Sequence, residues 1–206
     1  MCLDIKYLED EKYMTPRILI FAGSIRRESL HRKLALAAAR ALQAAGAEMT
    51  WADLRDYPMP FYDGDLEAEQ GVPERAKAFK ELVRAHDALV IASPEYNGSY
   101  PALLKNAIDW ISRPEPGEKP LAVLRGKRAA LLSASPGPGG GQRGLRHLRE
   151  LLEMIGVTVL PLQVTIAKAT QAFDTEGNLA RPDDRAALDS LARELAIAVQ
   201  LNDVAA

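Results

Sequence analysis

The chain has 206 residues, of which 48% are apolar, and this length and composition suit a single α/β domain with a full core. A net charge of −2 provides no general attraction to nucleic acid or to an anionic membrane, so neither is predicted as a partner. The single cysteine and the three scattered histidines predict neither a disulfide nor a metal site, and the lack of a long apolar run predicts a cytoplasmic protein.

Short apolar runs alternate along the chain with segments of helical periodicity. Residues 1–14 read as an extension, because Met14-Thr15-Pro16-Arg17 is like a natural start before the first strand, and residues 15–206 are predicted to form one domain. The alternation is typical of a doubly wound parallel sheet with helices on both faces. The predicted strands are Arg17–Phe21, Glu48–Asp53, Ala88–Ser93, Arg128–Ser135 and a strand that starts with Val157–Leu160, and the predicted helices are Ser29–Ala45, Glu74–Ala85, Pro101–Ile111, Gln142–Ile155 and Asp183–Gln200.

The connection after the second strand, Leu54–Pro73, is here called the second loop. A loop of this length is uncommon in a compact domain unless it has a function. Its segment Tyr57–Asp65 carries large apolar side chains on a proline-stiffened backbone, and such a surface usually marks a contact. We expect Phe61 and Tyr62 to pack against a second copy of the chain; the alternative is that they fold back onto their own domain.

Three other loops are predicted to lie together. Right-handed crossovers place every loop from a strand to the next helix at the same edge of a parallel sheet. Ligands of open α/β sheets bind at that edge, where the strand order reverses. The candidate site is therefore built from the first loop (Gly23–Ser29), the third loop (Ser93–Pro101) and the fourth loop (Ser135–Gly144).

The first loop holds two hydroxyls and two guanidinium groups directly before a predicted helix. Free backbone N–H groups and the positive helix end make this place a natural anion site, to which Arg26 would add a charge-assisted contact. The alternative is that Ser29 is only a helix cap and that the arginines are a solvated face, and the residues alone leave both interpretations open. The loop contains neither the phosphate-binding motif of nucleoside triphosphate hydrolases nor the GxGxxG motif of dinucleotide-binding domains.

The third and fourth loops suit a flat ligand. The third loop combines proline and glycine with Tyr96, whose ring would contact a planar heterocycle; the alternative is a surface aromatic that packs the loop. Trp110, on the apolar face of the next helix, is predicted to be a core residue. The fourth loop has glycines where side chains would block a flat ligand, and the alternative is a flexible linker.

Three segments resemble, in order and spacing, the NADPH-dependent FMN reductase family of flavodoxin-like azo, quinone and chromate reductases. They are GSIRRES, SPEYNGSYPALLKNAIDW, and SASPGPGGGQRG with the following HLRELL, and the resemblance extends from about Arg17 to Ile166. It implies a flavodoxin-like, doubly wound sheet of five parallel strands in the order 2-1-3-4-5, and FMN as the cofactor. The residues that it assigns to FMN are Ser24, Arg26 and Ser29 at the phosphate, Pro94, Glu95, Tyr96, Asn97 and Gly98 along the ring and ribityl chain, and Ser135 and Gly140 on the other side. Family members commonly have Asn where this chain has His31, which is carried over as a phosphate donor.

The resemblance also implies the reaction. Hydride would pass from NADPH or NADH through flavin N5 to a small acceptor: a quinone, free flavin, an azo compound or a metal oxyanion. Because one flavin face would serve both substrates, a ping-pong mechanism is expected, and no residue is nominated as a catalytic acid or base. The alternative is a flavodoxin-type electron carrier without its own turnover, although such carriers are usually strongly acidic and this chain is close to neutral. The family further implies a homodimer or homotetramer with flavins near the interface.

Overall fold

The computed structural model describes residues 15–203, which contain one five-stranded sheet with helices on both faces. All four strand pairs are parallel, and the order is β2-β1-β3-β4-β5. This order confirms the doubly wound, flavodoxin-like arrangement. The strands are β1 (Arg17–Ala22), β2 (Glu48–Ala52), β3 (Ala88–Ala92), β4 (Arg128–Ala134) and β5 (Thr158–Ile166).

The helices connect these strands and cover the sheet. The α-helices of the described residues are α1 (Leu30–Ala44), α2 (Gly64–Gln70), α3 (Glu74–Arg84), α4 (Ala102–Ser112), α5 (Gln142–Met154) and α6 (Pro182–Asp203). Short 3-10 helices lie at Leu54–Asp56 and Ala169–Gln171. Among the described helices, none combines the length and the apolar character needed to cross a bilayer.

The core consists of two apolar layers, one on each face of the sheet. Side chains alternate along a strand, so Ile18 and Ile20 of β1 pack with α1 and α6, whereas Leu19 and Phe21 pack with α3, α4 and α5. Phe21 meets Phe79 of α3 edge to face, with ring centroids 5.3 Å apart. Because both faces are covered, the strand ends are held firmly, and the loops that leave them have defined positions.

The structure adds to the sequence prediction in two parts of the chain. The second loop contains α2, which begins where the Asp63 carboxylate accepts the N–H of Asp65, and which has no buried residue and thus no apolar periodicity. For β5 only the start, Val157–Leu160, was predicted, and the structure shows that the strand continues through Pro161 to Ile166. The predicted extension, residues 1–14, lies outside the described residues.

Candidate functional site

The first and third loops pack directly against each other at the carboxyl edge of the sheet. Gly23, directly after β1, donates its N–H to the carbonyl of Ala92 at 2.9 Å. A Cβ on Gly23 would lie 3.3 Å from atoms of Pro94, Pro101 and Leu104. Since this spacing is already tight for a single carbon atom, a larger side chain would push the two loops apart.

The first loop presents hydrogen-bond donors at the start of α1. Ser29 is the N-cap of α1, and its hydroxyl accepts the N–H of Arg32 at 3.3 Å. Among residues 15–203, the backbone N–H groups of Arg27, Leu30 and His31 have no hydrogen-bond acceptor. No acidic side chain lies in the first turn of α1. The loop therefore offers free donors together with the positive end of a helix.

In the first loop the hydroxyl side chains are buried and the cationic side chains are exposed. Ser24 and Ser29 are buried, whereas Arg26 and Arg27 are exposed. The Ser24 hydroxyl accepts the N–H of Arg26 at 3.5 Å. Within the described chain, neither guanidinium group forms an ion pair, so both are available to an anion.

His31 joins the first turn of α1 to the end of β4. Its Nε2 accepts the N–H of Ala134 at 3.2 Å, which places the proton of the neutral imidazole on Nδ1. Burial, followed by the positive charge of Arg26, lowers the pKa of His31 from 6.5 to about 4, so the ring is neutral at neutral pH. Nδ1 is not fully buried and has no acceptor among the described residues, so it can donate to a ligand.

Asp53, directly after β2, holds two arginines beside the first loop. Its carboxylate accepts hydrogen bonds from Arg32 at 2.5 Å and from Arg55 at 2.6 Å. The hydrogen bond from Arg55, together with the charge of Arg32, lowers the pKa of Asp53 to about 2. The Arg32 guanidinium also lies 5.6 Å from the ring centroid of Trp51. Sequence reasoning missed this group, since no local pattern shows that α1 and the end of β2 are neighbours.

The third loop reverses direction in a tight turn. Tyr96 and Ser99 exchange backbone hydrogen bonds of 2.8 and 3.1 Å, and Asn97 and Gly98 between them have φ values of 51° and 80°. Positive φ at both central positions is the geometry of a tight hairpin turn. Pro94 is buried, whereas Tyr96 is 51% exposed, so the turn displays the Tyr96 ring at the sheet edge.

Glu95 connects the third loop to the fourth. Its Oε2 accepts the N–H of Gly144, in the first turn of α5, at 2.9 Å. The N-cap of α5, Gly141, has no side chain with which to cap the helix. The Glu95 carboxylate therefore satisfies one of the free N–H groups of α5 from another loop.

The glycines of the fourth loop pack against protein atoms. A Cβ on Gly140, which has a φ of 59°, would lie 2.9 Å from Cβ of Thr165. A Cβ on Gly141, which has a φ of 90°, would lie only 1.9 Å from Oγ of Ser133. Close packing and backbone conformation thus require glycine at both positions, and this reason cannot be read from the sequence.

The second loop is fixed to α4 by its prolines and aromatic residues. The carbonyl of Pro60 accepts hydrogen bonds from Nε1 of Trp110 and Nδ2 of Asn106, both at 2.8 Å. Tyr62 packs edge to face on Trp110, with ring centroids 5.1 Å apart, and Trp110 is fully buried as predicted. Phe61, by contrast, is 79% exposed. Tyr62 therefore folds back onto its own domain and Phe61 does not.

A cavity of about 280 Å³ lies between the first loop, the second loop and α4. Its walls are mainly apolar and include Leu54, Tyr57, Met59 and Leu103. Ile25 of the first loop also lines the cavity and is 49% exposed. These side chains form an apolar region beside the candidate site.

The residues predicted to hold FMN lie on the first, third and fourth loops or in the first turn of α1. Ser135, at the start of the fourth loop, accepts the N–H of Gly137 with its hydroxyl at 3.1 Å. The hydroxyls, free N–H groups and cations of the first loop are donors of the kind that a phosphate monoester requires. The Tyr96 ring and the backbone of its turn suit a flat heterocycle. FMN combines these two groups, so the residues present fit it.

Comparisons with known proteins find a family model, curated relatives and solved structures that are similar to this chain. A model of the NADPH-dependent FMN reductase family matches residues 16–171. A protein named NAD(P)H-dependent FMN reductase from Pseudomonas aeruginosa is 41% identical over 180 residues, covering 87% of this chain and 88% of the relative. A protein named NADPH:quinone oxidoreductase from Arabidopsis thaliana is 34% identical over 168 residues, covering 79% and 81%. Among solved structures, FerB from Paracoccus denitrificans, a flavoenzyme NAD(P)H:(acceptor) oxidoreductase, matches with a TM-score of 0.76 at 25% identity, covering 91% of this chain and 98% of its own.

Proposed function

Since this chain belongs to the NADPH-dependent FMN reductase family, we propose that it binds FMN at the carboxyl edge of its sheet and reduces a small acceptor with NADPH or NADH. The observation that carries the proposal is the first loop, where free N–H groups, buried hydroxyls and unpaired guanidinium groups surround the start of α1. A cytoplasmic setting, in which the nicotinamide cofactors are available, is part of the proposal. The acceptor is a quinone, free flavin, an azo compound or a metal oxyanion.

The site residues have separate positions in this proposal. The phosphate is assigned to the first loop and α1, where Nδ1 of His31 adds a neutral donor to the charged ones. The ring and the ribityl chain are assigned to the space between the third and fourth loops. The complete set is Ser24, Arg26, Ser29, His31, Pro94, Glu95, Tyr96, Asn97, Gly98, Ser135 and Gly140.

The protein contributes binding and orientation rather than acid–base chemistry. When bound, FMN supplies a hydride acceptor that can pass two electrons onward. Arg26 and the helix start would balance the phosphate charge, and the Tyr96 turn would support the ring. The proposal assigns no proton transfer at the ring to Glu95, whose carboxylate accepts the N–H of Gly144, or to His31, whose Nε2 accepts the N–H of Ala134.

Family membership favours an enzyme over a flavodoxin-type electron carrier. The near-neutral charge favours it too, because a carrier that docks on redox partners is usually strongly acidic. Anaerobic mixing with NADPH or NADH distinguishes the two. An enzyme bleaches its own flavin absorbance on mixing, whereas a carrier stays oxidised until a separate reductase is added.

Replacing Arg26 by alanine should weaken FMN binding by roughly ten- to a hundredfold, because a charge-assisted hydrogen bond contributes about 1.5–3 kcal/mol. Riboflavin lacks the phosphate, so its affinity should change little. Titration of the flavin-free protein with both flavins, followed by flavin fluorescence, measures the two effects. Arg27→Ala is the matched control, since it removes the same charge from the same loop. Equal losses for FMN and riboflavin in Arg26→Ala would show that Arg26 does not contact the phosphate.

The two substrates should react in turn rather than together. NAD(P)H and the acceptor need the same open side of the ring, so one must leave before the other binds. Initial rates measured at several fixed acceptor concentrations should give parallel reciprocal plots. Intersecting lines would indicate a ternary complex and hence a second acceptor site.

We further propose a homodimer, with a homotetramer as a higher assembly, in which Phe61 packs against the neighbouring subunit. Phe61 and Ile25 are large apolar side chains that remain exposed, and Ile25 lines the apolar cavity. Exposed apolar surface on folded proteins usually marks a contact when it is extensive. Phe61→Ser should lower both the mass in solution and the retention of FMN, as measured by light scattering and by flavin content. Tyr62→Phe is the matched control, because it removes the hydroxyl bonded to Glu67 but keeps the ring on Trp110. A monomeric wild type with full reductase activity would overturn the dimer.

A further inference from the structure

The third loop is attached to the start of α5 at two points. The Glu95 carboxylate accepts the N–H of Gly144 at 2.9 Å, and the hydroxyl of Ser99 lies 3.3 Å from Nδ1 of His147. Glu95 and Ser99 lie on the two arms of the tight turn that displays Tyr96. Both arms of the turn therefore contact α5.

The contact between the third loop and α5 leaves no room for a side chain. A Cβ on Gly144 would lie 3.2 Å from Cβ of Glu95 and 3.2 Å from the carbonyl oxygen of Ser99. A Cβ on Gly141, one turn earlier, would lie 3.8 Å from the same Cβ of Glu95. The backbone of α5 thus approaches the third loop as closely as glycine permits, and the Glu95 hydrogen bond closes this contact.

We propose that Glu95 is a positioning residue whose carboxylate fixes the distance between the Tyr96 turn and the fourth loop. This inference rests on the proposed function, because the distance matters if the FMN ring lies between these two loops. Glu95 then acts on the ring through α5: its carboxylate satisfies a free N–H at the positive end of the helix. Its contribution to FMN binding is a correctly spaced gap rather than a contact between the carboxylate and the flavin.

A double-mutant cycle tests this role. Glu95→Ala removes the hydrogen bond, and Gly144→Ala inserts a methyl group into the same contact. Glu95→Gln keeps an acceptor oxygen, and Gly64→Ala is the control glycine, since a Cβ there meets nothing within 4 Å. The quantities to measure are the FMN dissociation constant, the visible circular dichroism of bound flavin and, in the flavin-free proteins, hydrogen exchange at the Gly144 amide.

We expect Glu95→Ala to weaken FMN by about tenfold, in line with the loss of a helix-capping hydrogen bond, and Glu95→Gln to restore most of the affinity and the dichroism. The two alanine substitutions should not add, because a loop released from α5 can move away from the new methyl group. Faster exchange of the Gly144 amide in flavin-free Glu95→Ala should accompany the loss.

Three results would overturn the inference. One such result is that the two alanine substitutions raise the FMN dissociation constant independently, so that their factors multiply in the double variant. Another is that Glu95→Gln binds FMN as weakly as Glu95→Ala. Either result would mean that the carboxylate acts on the flavin itself. Unchanged Gly144 exchange in Glu95→Ala would mean that the hydrogen bond does not hold the loop. A wild type that binds no FMN would end the proposed function as well, and the exchange data would still report whether Glu95 caps α5.

Discussion

Gly141→Ala should lower the free energy of unfolding by about 3–5 kcal/mol, a large loss for a single methyl group. Two costs combine at this position. Gly141 has a φ of 90°, which any other residue adopts only with strain. In addition, the new Cβ would lie 1.9 Å from Oγ and 2.8 Å from Cβ of Ser133. Ser133 is fully buried and its hydroxyl donates to the carbonyl of Ser93 at 2.8 Å, so it cannot move aside without losing that bond.

Urea unfolding of the flavin-free proteins measures this loss without any contribution from cofactor binding. Gly177→Ala is the matched control: its φ is 79°, but the nearest atom to its Cβ would be Nη2 of Arg40 at 3.7 Å, an ordinary van der Waals distance. It should cost only the backbone strain, about 1–2 kcal/mol. Adding Ser133→Ala to Gly141→Ala should recover part of the difference. If Gly141→Ala costs no more than Gly177→Ala, the contact with Ser133 does not determine the glycine.

The sequence predicted the strands and the site loops because both depend on local patterns. Short apolar runs such as Ala88–Ala92 are bounded by polar or turn-forming residues, and alternation with helices leaves few possible sheet topologies. Since parallel strands end at one edge, the order of the elements alone brings the first, third and fourth loops together. The family resemblance then gave the strand order and the cofactor.

Contacts between distant residues could not be predicted in this way. The hydrogen bonds of Glu95 to Gly144 and of His31 to Ala134 join residues that are 49 and 103 positions apart. Local propensity contains no information on such pairs. The helix α2 was missed for a related reason: none of its residues is fully buried and Leu66 alone packs against an apolar cluster, so the sequence shows no periodic apolar face.

The glycines of the fourth loop can be required for two different reasons. They were interpreted from the sequence as space for a flat ligand. The structure adds a requirement of the protein itself, since the missing side chains of Gly140 and Gly141 would meet Thr165 and Ser133. The stability of the flavin-free variants measures this second cause separately from ligand binding.

The second large effect is a loss of stability at acid pH, which we expect His31 to cause. Its pKa is lowered from 6.5 to about 4 by burial and then by the charge of Arg26, so the folded protein resists protonation at this ring. Above pH 6.5 the ring is neutral in both states and has no effect on the pH dependence. Between pH 6.5 and about 4 the unfolded chain takes up a proton that the folded protein does not. The free energy of unfolding therefore decreases as the pH is lowered through this range.

Over this interval His31 should account for a loss of about 3 kcal/mol, since each pKa unit corresponds to about 1.4 kcal/mol. His31→Asn removes the titration but keeps an oxygen that can accept the N–H of Ala134, so this variant should lose much less stability between neutral pH and about pH 4. Urea unfolding of the flavin-free proteins at several pH values gives both profiles. His147→Asn is the control for replacing a histidine by asparagine, at an exposed position. Carboxylates such as Asp53, whose pKa is lowered to about 2, keep their stabilising charge through this range and are common to all three proteins. If wild type and His31→Asn lose stability in parallel, His31 is not the group that makes the fold sensitive to acid.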